Sequence, residues 1–228
     1  MIYLYHCINA RSFRPLWAME ELEIPYQLYI LPFPPRFKAA DFLERNPLGT
    51  VPFLEDGETR MTESTAMCEY LSRLYGNGRL SLNDKDEHYA VYLNWLFMSD
   101  STLTFPQTLV LRYSRFEPSE RQQPQLVEDY SRWFLARLKI VNSQIEQTSY
   151  LYDNRFTMAD IVIGYALFLS EHIGLAKYFK PQTAGYLKRL KNRPGFQRAM
   201  YAQEQAALAQ GVSTRPVTEL DFKALHTD

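Results

Sequence analysis

Cysteine is scarce in this chain, which has two among 228 residues, Cys7 and Cys68. Secreted proteins that depend on a disulfide framework usually have more, so the pair indicates a reducing compartment. No apolar run approaches the roughly 18 residues that a membrane-spanning helix needs. The first residues also lack the basic and then apolar pattern of a secretory leader. These absences predict a cytoplasmic protein that does not span a membrane.

The chain also lacks an excess of charge of either sign. It has 25 basic and 26 acidic residues and a formal net charge of −1, and both signs are interspersed. The strongly basic field that attracts nucleic acid is therefore missing, and we expect no nucleic-acid partner. Apolar residues make up 46% of the chain and charged residues 22%, which is typical of a globular protein with a sizeable core. A length of 228 residues allows one domain or two.

The first third of the chain alternates short strand and helix patterns. Runs of β-forming residues predict strands, and apolar residues at helical spacing predict helices. In order, the predicted elements are a strand at 2–6, a helix at 11–24, a strand at 26–31, a short helix at 37–46, a hairpin around Gly57 and a helix that ends at Gly76. This βαβαββα order predicts a mixed α/β domain at residues 1–78.

The rest of the chain has amphipathic helical patterns and nothing convincingly strand-like. The patterns cover residues 88–116, 124–147, 155–172, 181–194 and 195–210. We expect Pro106 to kink or interrupt the first of these helices, because proline lacks an N–H and clashes with the preceding turn. The tail from Gly211 is polar and is expected to be loosely held. The sequence therefore predicts a second, all-α domain at residues 87–228.

A capping box is predicted in the stretch "FTMADI" (156–161). Thr157 would cap a helix whose third residue, Asp160, reaches back to the Thr157 N–H. Phe156 and Ile161 have the spacing of a hydrophobic staple around that cap. Together these contacts predict a well-defined helix start within the all-α part.

The stretch "NPLGTVPFLEDG" (46–57) combines turn residues with a strand that begins at a proline. Pro52 donates no hydrogen bond to a sheet, and it restricts Val51 to an extended conformation. Shortly afterwards "ESTAM" (63–67) starts a helix, and a helix N-terminus presents N–H groups that suit an anion. The residues alone leave two interpretations open, a ligand-binding edge and an ordinary turn followed by a capped helix.

The whole pattern, βαβαββα with a proline-led third strand and then an all-α half, resembles the glutathione transferase family. Five stretches carry the likeness across nearly the whole chain, in the family's order: "SFRPLWAMEELEIPYQL", "NPLGTVPFLEDG", "ESTAMCEYLSRLYG", "RFTMADIVIGYAL" and "YLKRLKNRPGFQRA". The likeness is strongest to bacterial and fungal members with Asn-x-Arg-Ser after the first strand, here "NARS" (9–12). It implies an α/β thioredoxin-like N-terminal domain, an all-α C-terminal domain, a homodimer, and glutathione as cosubstrate without a metal.

The resemblance assigns a binding residue to each part of glutathione. In the family the residue before the proline, here Val51, offers its backbone groups to the cysteinyl part, and the Val51–Pro52 peptide bond is cis. Ser64 and its amide would hold the γ-glutamyl carboxylate, and Glu63 would hold the adjacent ammonium. The alternative is that Glu63 and Ser64 only cap their helix, as acidic and hydroxyl residues often do.

A thiol with a reference pKa near 8.5 needs a hydrogen-bond donor or a positive charge beside it to ionise at neutral pH. By resemblance that donor is Asn9, whose amide donates a hydrogen bond but forms no covalent intermediate. Arg11 would add positive charge near the sulfur or the glycine carboxylate. A helix-capping role for Asn9 stays open, and so does donation by Ser12.

Other residues around the first strand have competing interpretations. Related sequences often carry a serine where this chain has Ala10, so one hydroxyl is missing from the site. Cys7 lies two residues before the position of the cysteine in omega-like members, and we interpret it as a buried apolar residue. Cys68 is assigned to the core.

The glycine carboxylate is assigned to Lys38, with Arg36 as the alternative, because Thr50 stands where the family often has Lys, Arg or Gln. The acceptor pocket is expected between the domains, where apolar walls are usual. Phe105 and Tyr113 in the long helical pattern would line it, although an aromatic stripe on a helix is also typical of a core.

The resemblance implies a glutathione transferase whose thiolate attacks a small, soft electrophile, with a role in detoxification. Two alternatives stay open. Bound glutathione would reduce peroxides or disulfides in one, and the protein would be a non-catalytic glutathione- or ligand-binding module in the other. Ala10 and Thr50, where the chain departs from the family pattern, favour the module.

Overall fold

A computed structural model describes residues 1–152 and 154–223. In this part of the chain one sheet is formed by β1 (Ile2–His6), β2 (Tyr26–Ile30), β3 (Phe53–Asp56) and β4 (Thr59–Met61). The order across the sheet is β2–β1–β3–β4; β1 pairs with β2 in parallel, and β3 runs antiparallel to β1 and β4. The predicted strands and the hairpin are confirmed.

The helices of the first half are α1 (Phe13–Leu22), α2 (Pro35–Lys38), α3 (Phe42–Arg45) and α4 (Ser64–Leu74). The single helix predicted at 37–46 is wrong, because the chain forms two short helices in this region. Ala39 lies between them with φ −142° and ψ 74°, outside the helical region, so the helical hydrogen bonds stop there. The cis peptide Phe33–Pro34 leads into α2.

The helices of the second half are α5 (Tyr89–Met98), α6 (Phe105–Leu111), α7 (Pro124–Ile145), α8 (Met158–His172), α9 (Pro181–Lys191) and α10 (Pro194–Ala209). A π-helical segment, Ser99–Thr104, joins α5 to α6. The interruption expected at Pro106 is therefore a change of helix type rather than a break. Pro106 lies in the first turn of α6, where its missing N–H costs least.

Helix α8 lies at the centre of the core, and nearly all of its side chains are buried. Trp17 of α1 packs edge-to-face on Phe196 of α10, with ring centroids 5.0 Å apart. A β-carbon at Gly164 of α8 would lie 2.7 Å from Leu190 Cδ1 and 3.2 Å from the Trp17 ring, so glycine permits this close packing. No helix in the described ranges is long and apolar enough to cross a membrane.

The predicted capping box is confirmed at the start of α8. The Thr157 N–H donates to Asp160 Oδ2 at 2.8 Å. The buried Asp160 carboxylate also accepts from the Leu151 N–H at 2.9 Å and from the Tyr186 hydroxyl at 2.7 Å. Burial raises the pKa of Asp160 to about 6, against the hydrogen bonds that favour its charged form.

Part of the C-terminal tail packs on the α/β half, so the prediction of a loosely held tail is wrong for Val217 and Thr218. Val217 and Thr218 are buried, and the Val217 N–H donates to the Ile8 carbonyl at 3.1 Å. Arg115 donates to the Thr218 carbonyl from the segment after α6. The tail therefore crosses from the helical half to the turn after β1. Residues 224–228, also part of the predicted tail, lie outside the described residues.

Candidate active site

A cavity of about 670 Å³ opens between the α/β half and the helical half. Its lining comes from the turn after β1, from residues 33–37 and 49–51, from α6 and the segment after it, from α8, and from the tail. Its size is within the range of small-molecule sites. The cavity lies where the sequence predicted an acceptor pocket.

The cavity wall includes Val51, whose peptide bond to Pro52 is cis as the resemblance implied. Val51 lies before the start of β3, and among the described residues its N–H and C=O form no backbone hydrogen bond. The neighbouring Thr50 carbonyl accepts from Asn46 Nδ2 at 2.9 Å, which anchors the loop. One backbone donor and one backbone acceptor thus remain for another peptide-like chain.

Ser64 is the first residue of α4, and a buried arginine donates a hydrogen bond to its hydroxyl. Arg14 Nη1 donates to Ser64 Oγ at 2.9 Å and to Asp100 Oδ1 at 2.7 Å. Burial alone would raise the pKa of Asp100, but the Arg14 guanidinium holds it below its usual value. Asp100 also accepts from Thr65 Oγ1 at 3.0 Å. These contacts fix the N-terminus of α4.

Glu63 stands at the N-cap position of α4 and is exposed. Its side chain makes no capping hydrogen bond, so simple capping does not account for it. The Glu63 carboxylate and the α4 N-terminus therefore offer one acceptor for a cation and a set of donors for an anion, side by side.

Arg11 and Ala10 line the cavity in the turn between β1 and α1. The Ala10 N–H donates to the Cys7 carbonyl at 3.0 Å, which closes this turn. Arg11 Nη2 donates to Thr108 Oγ1 of α6 at 2.8 Å, so its guanidinium bridges the two halves across the cavity. Ser12 occupies the N-cap position of α1, and its hydroxyl accepts from the Cys7 N–H at 3.4 Å.

Asn9 is buried and is not among the described residues that line the cavity. Its φ is 55°, and Gln203 of α10 binds it twice: Gln203 Nε2 donates to Asn9 Oδ1 at 2.7 Å, and the Asn9 N–H donates to Gln203 Oε1 at 3.1 Å. Asn9 Nδ2 lies 3.3 Å from His172 Nε2. These contacts direct the Asn9 amide towards α8 and α10, and the N-cap position of α1 belongs to Ser12, whose side chain makes no capping hydrogen bond.

Sequence reasoning missed Gln203, His172 and Tyr165 as partners of this turn. The Tyr165 hydroxyl donates to the Asn9 carbonyl at 3.3 Å, and its ring lines the cavity. Gln203 also lies 2.9 Å from His6 Nε2. These residues are more than 150 positions from Asn9 in the chain, and no local motif relates them.

Both cysteines are buried, as interpreted from the sequence. Burial raises the pKa of the Cys7 thiol and of the Cys68 thiol well above the ordinary value. A protonated, inaccessible thiol is a poor nucleophile. Thiolate chemistry at this site would therefore come from a bound thiol.

The two residues proposed to bind the glycine carboxylate differ in their position relative to the cavity. Arg36 lines the cavity beside Gly49, whereas Lys38, at the end of α2, is exposed and is not among the described lining residues. Arg36 belongs to the short α2, which sequence patterns did not predict as a separate helix. Lys38 remains a candidate only if a bound ligand extends beyond the cavity.

The aromatic lining differs from the expected one. Phe105 is 50% exposed at the start of α6, and neither it nor Tyr113 is among the described residues that line the cavity. Phe33 and Phe116 provide aromatic surface instead, with ring centroids 5.7 Å apart. The π-helical segment Arg112–Phe116 changes the register of this face, so Phe116 rather than Tyr113 meets the cavity.

Comparison with known proteins adds a family likeness to this geometry. Residues 10–74 match the family model described as glutathione S-transferase, N-terminal domain. The chain is 26% identical over 205 residues to glutathione S-transferase GstB of Escherichia coli strain K12, which covers 88% of this chain and 98% of that protein. It is also 26% identical over 246 residues to elongation factor 1-gamma 3 of Oryza sativa subsp. japonica, which covers 98% of this chain and 55% of that protein.

The fold has a solved counterpart in the glutathione transferase URE2P6 of Phanerochaete chrysosporium, determined in complex with oxidised glutathione. The two structures match with a TM-score of 0.76 at 24% identity, over 90% of this chain and 97% of that one. The architecture is thus a thioredoxin-like α/β domain followed by an all-α region, as in the glutathione transferases. The sequence likenesses support the glutathione transferase family for this chain.

Proposed function

We propose that the protein is a glutathione transferase that joins the thiolate of glutathione to a small, soft electrophile. The observation that carries this proposal is the backbone of Val51, whose N–H and C=O form no backbone hydrogen bond among the described residues and which lies in the wall of a cavity that also contains Arg11. The central residue of a tripeptide can form backbone hydrogen bonds with Val51, as one strand does with another. The thiol of a peptide bound in this way would lie near the positive charge of Arg11.

The three residues of glutathione would bind to different residues of the α/β half. The cysteinyl N–H and C=O would pair with Val51, and the γ-glutamyl carboxylate would bind Ser64 and the α4 N-terminus. Glu63 would accept from the ammonium. Arg36, with Lys38 as the more distant candidate, would bind the glycine carboxylate.

Arg11 and Asn9 would stabilise the glutathione thiolate in a different way from the one that the motif predicts. Arg11 lines the cavity, so its charge would favour the thiolate over the thiol. Asn9 would act chiefly by holding the turn, because its side-chain oxygen and nitrogen already face Gln203 and His172. Direct donation from Asn9 to sulfur stays a prediction, and it requires the amide to leave His172.

The decisive experiment follows the ultraviolet absorbance of the thiolate while glutathione is titrated into the protein across pH. We expect the pKa of bound glutathione to fall by about one unit or more below its solution value. Arg11→Gln should reverse most of that fall, while Arg132→Gln, an exposed arginine on α7, should not. Turnover with a reactive aryl halide should fall with Arg11→Gln. The proposal would be contradicted if glutathione bound without a fall in its thiol pKa, or if Arg11→Gln left that fall unchanged.

A second candidate function is a non-catalytic glutathione- or ligand-binding module. The likeness to an elongation factor 1-gamma favours it, together with Ala10, which leaves the cavity without the hydroxyl that relatives often have there. This function predicts glutathione binding without a shift in the thiol pKa and without turnover. Asn9→Ala would then leave binding unchanged, whereas under the transferase proposal it should lower turnover.

Redox chemistry is the third candidate, in which two glutathione thiols reduce a peroxide to an alcohol and water and form glutathione disulfide. The protein's own cysteines would not take part, because both thiols are buried. A coupled assay that measures glutathione disulfide separates this reaction from conjugation. We further propose that the protein acts in the cytoplasm as a homodimer, which sedimentation equilibrium would test.

A further inference from the structure

The described lining of the cavity is strongly basic, although the chain as a whole has a net charge of −1. It contains four arginines, Arg11, Arg36, Arg112 and Arg121, and one acidic residue, Glu117, which gives a local net charge of +3. Clefts lined by charge of one sign concentrate ligands of the opposite sign. The cavity therefore selects for negative charge.

Glutathione, bound as proposed above, would account for part of this charge. Its glycine carboxylate and its thiolate would offset Arg36 and Arg11, while its γ-glutamyl end would lie at Glu63 and Ser64, which do not belong to the described lining. The group formed by Arg112, Arg121 and Glu117 would keep a net charge of +1.

That group is preorganised around a buried carboxylate. Arg112 Nε donates to Glu117 Oε1 at 2.8 Å, and Arg121 Nε lies 3.3 Å from Glu117 Oε2. Each guanidinium has five N–H donors, and these contacts use one from each. The remaining donors form a fork that suits a planar carboxylate.

A second observation comes from the tail. Thr218 lines the same cavity and is buried, and its Oγ1 has no hydrogen-bond partner among residues 1–152 and 154–223. A buried hydroxyl without a partner costs stability, so such a group at a cavity wall indicates a polar atom supplied by a ligand. The hydroxyl can donate to a carboxylate oxygen.

The apolar lining of the same cavity includes Phe33 and Phe116, whose ring centroids lie 5.7 Å apart. Aromatic walls favour a flat ring as occupant. Together with the cationic group and the Thr218 hydroxyl, they describe a ligand with one aromatic face and one anionic edge.

We propose that the acceptor substrate is an aromatic electrophile that carries a carboxylate, held by Arg112, Arg121 and Thr218. This inference rests on the proposed glutathione transferase function. With an aryl fluoride the thiolate sulfur forms a bond to the ring carbon that bears fluorine. The C–F bond then breaks, and fluoride leaves with the bonding electron pair, so no oxidant or further reactant is needed.

The test compares 4-fluoro-3-nitrobenzoate, which is an anion, with its neutral methyl ester, and the uncatalysed rates account for their different intrinsic reactivities. The readout is the ratio of kcat/KM for the acid to kcat/KM for the ester, each corrected for the uncatalysed rate. We expect a ratio several-fold higher than the ratio of the uncatalysed reactions. Added salt should lower it, because the two arginines are partly exposed.

Variants assign the preference to the named residues. Arg112→Gln and Arg121→Gln should each lower the ratio about threefold, as expected for a partly exposed charge pair. Thr218→Val should lower it, and Glu117→Gln should raise it by removing the competing negative charge. Arg132→Gln is the matched control, since Arg132 pairs with Glu128 at the same four-residue spacing and is not among the lining residues.

Two outcomes would overturn the inference while leaving the transferase function intact. One is an acid-to-ester ratio equal to that of the uncatalysed reactions, and the other is a ratio that none of the four cavity variants changes. If neither electrophile is turned over, the proposed function fails instead. The charge preference is then decided by calorimetry with 3-nitrobenzoate and its methyl ester in the presence of glutathione: tighter binding of the acid supports it, and equal or weaker binding of the acid overturns it.

Discussion

Gln203 Nε2 donates a hydrogen bond of 2.7 Å to Asn9 Oδ1, which ties the last long helix to the turn after the first strand. Gln203 Oε1 accepts from the Asn9 N–H at 3.1 Å and lies 2.9 Å from His6 Nε2. One side chain from α10 thus holds the backbone and the side chain of a residue with positive φ. Arg11 follows two positions later and lines the cavity.

We predict that Gln203 is a positioning residue for this turn. Gln203→Ala should destabilise the protein by about 2–4 kcal/mol, because buried groups of Asn9 and His6 lose partners. It should also raise the pKa of bound glutathione, since Arg11 would no longer be held beside the sulfur. Thermal unfolding and the thiolate absorbance measure the two effects.

Gln210 provides the matched control for Gln203. It lies just after α10, accepts from the Ile30 N–H at 2.8 Å and donates to the Leu28 carbonyl at 2.8 Å. Gln210→Ala should therefore cost stability without changing the pKa of bound glutathione. Equal shifts of that pKa in both variants would mean that Gln203 acts only through general stability.

Glu63 should contribute to glutathione affinity through the ammonium of the γ-glutamyl end. Because Glu63 is exposed, we expect Glu63→Gln to raise the dissociation constant of glutathione only about twofold to fivefold. The effect should shrink at high salt. Glu58→Gln, at another exposed acidic residue in the hairpin between β3 and β4, is the control for calorimetry and should leave the affinity unchanged.

His6 should make stability depend on pH. Burial lowers the pKa of His6 to about 4, whereas an unfolded histidine has a pKa near 6.5. Between these values the unfolded chain binds more protons than the folded protein, so stability is complete above about pH 6.5 and is lost as the pH falls towards 4. The loss attributable to His6 is on the order of 3 kcal/mol.

The contribution of His6 is measured as the difference between the wild-type protein and His6→Gln in denaturant unfolding at several pH values. The raised pKa of Asp160 acts in the opposite direction over part of this range, but it is common to both proteins and cancels. The free-energy difference between the two proteins should change steadily between pH 6.5 and 4. A constant difference would show that His6 is not held neutral.

Two helical glycines should respond to alanine with opposite signs. Gly164→Ala should destabilise by about 1–3 kcal/mol, because its β-carbon would meet Leu190 and Trp17 at 2.7 and 3.2 Å. Gly185 of α9 has open space around the position of a β-carbon, so Gly185→Ala should stabilise by about 0.5–1 kcal/mol. Midpoints of urea unfolding measure both changes, and stabilisation by Gly164→Ala would contradict the described packing.

Much of the fold was predictable because its signals are local. The two predicted strands, the hairpin at Gly57 and the capping box of Thr157 and Asp160 all depend on residues a few positions apart. The two short helices α2 and α3 were not predicted as separate, because the conformation of Ala39 leaves no mark in the apolar spacing.

The features of the candidate site also divide into those that the sequence predicted and those that it did not. Pro52 and the turn before it are sequence features, and the family likeness was sufficient to imply the cis bond. Which side chains meet the cavity was not predictable: Arg36 lines it rather than Lys38, and Phe116 rather than Tyr113. The contribution of Phe116 depends on a π-helical register, which changes the direction of a side chain without changing the pattern of residues.

The sequence by itself determined the order of strands and helices, the start of α8 and the proline that follows Val51, because each follows from steric and hydrogen-bonding preferences of neighbouring residues. Only the tertiary structure decided that Gln203 holds Asn9 and that Thr218 lines the same cavity as Arg112. These residues are far apart in the chain. Their meeting depends on how whole helices pack, and packing is determined by all the buried side chains together.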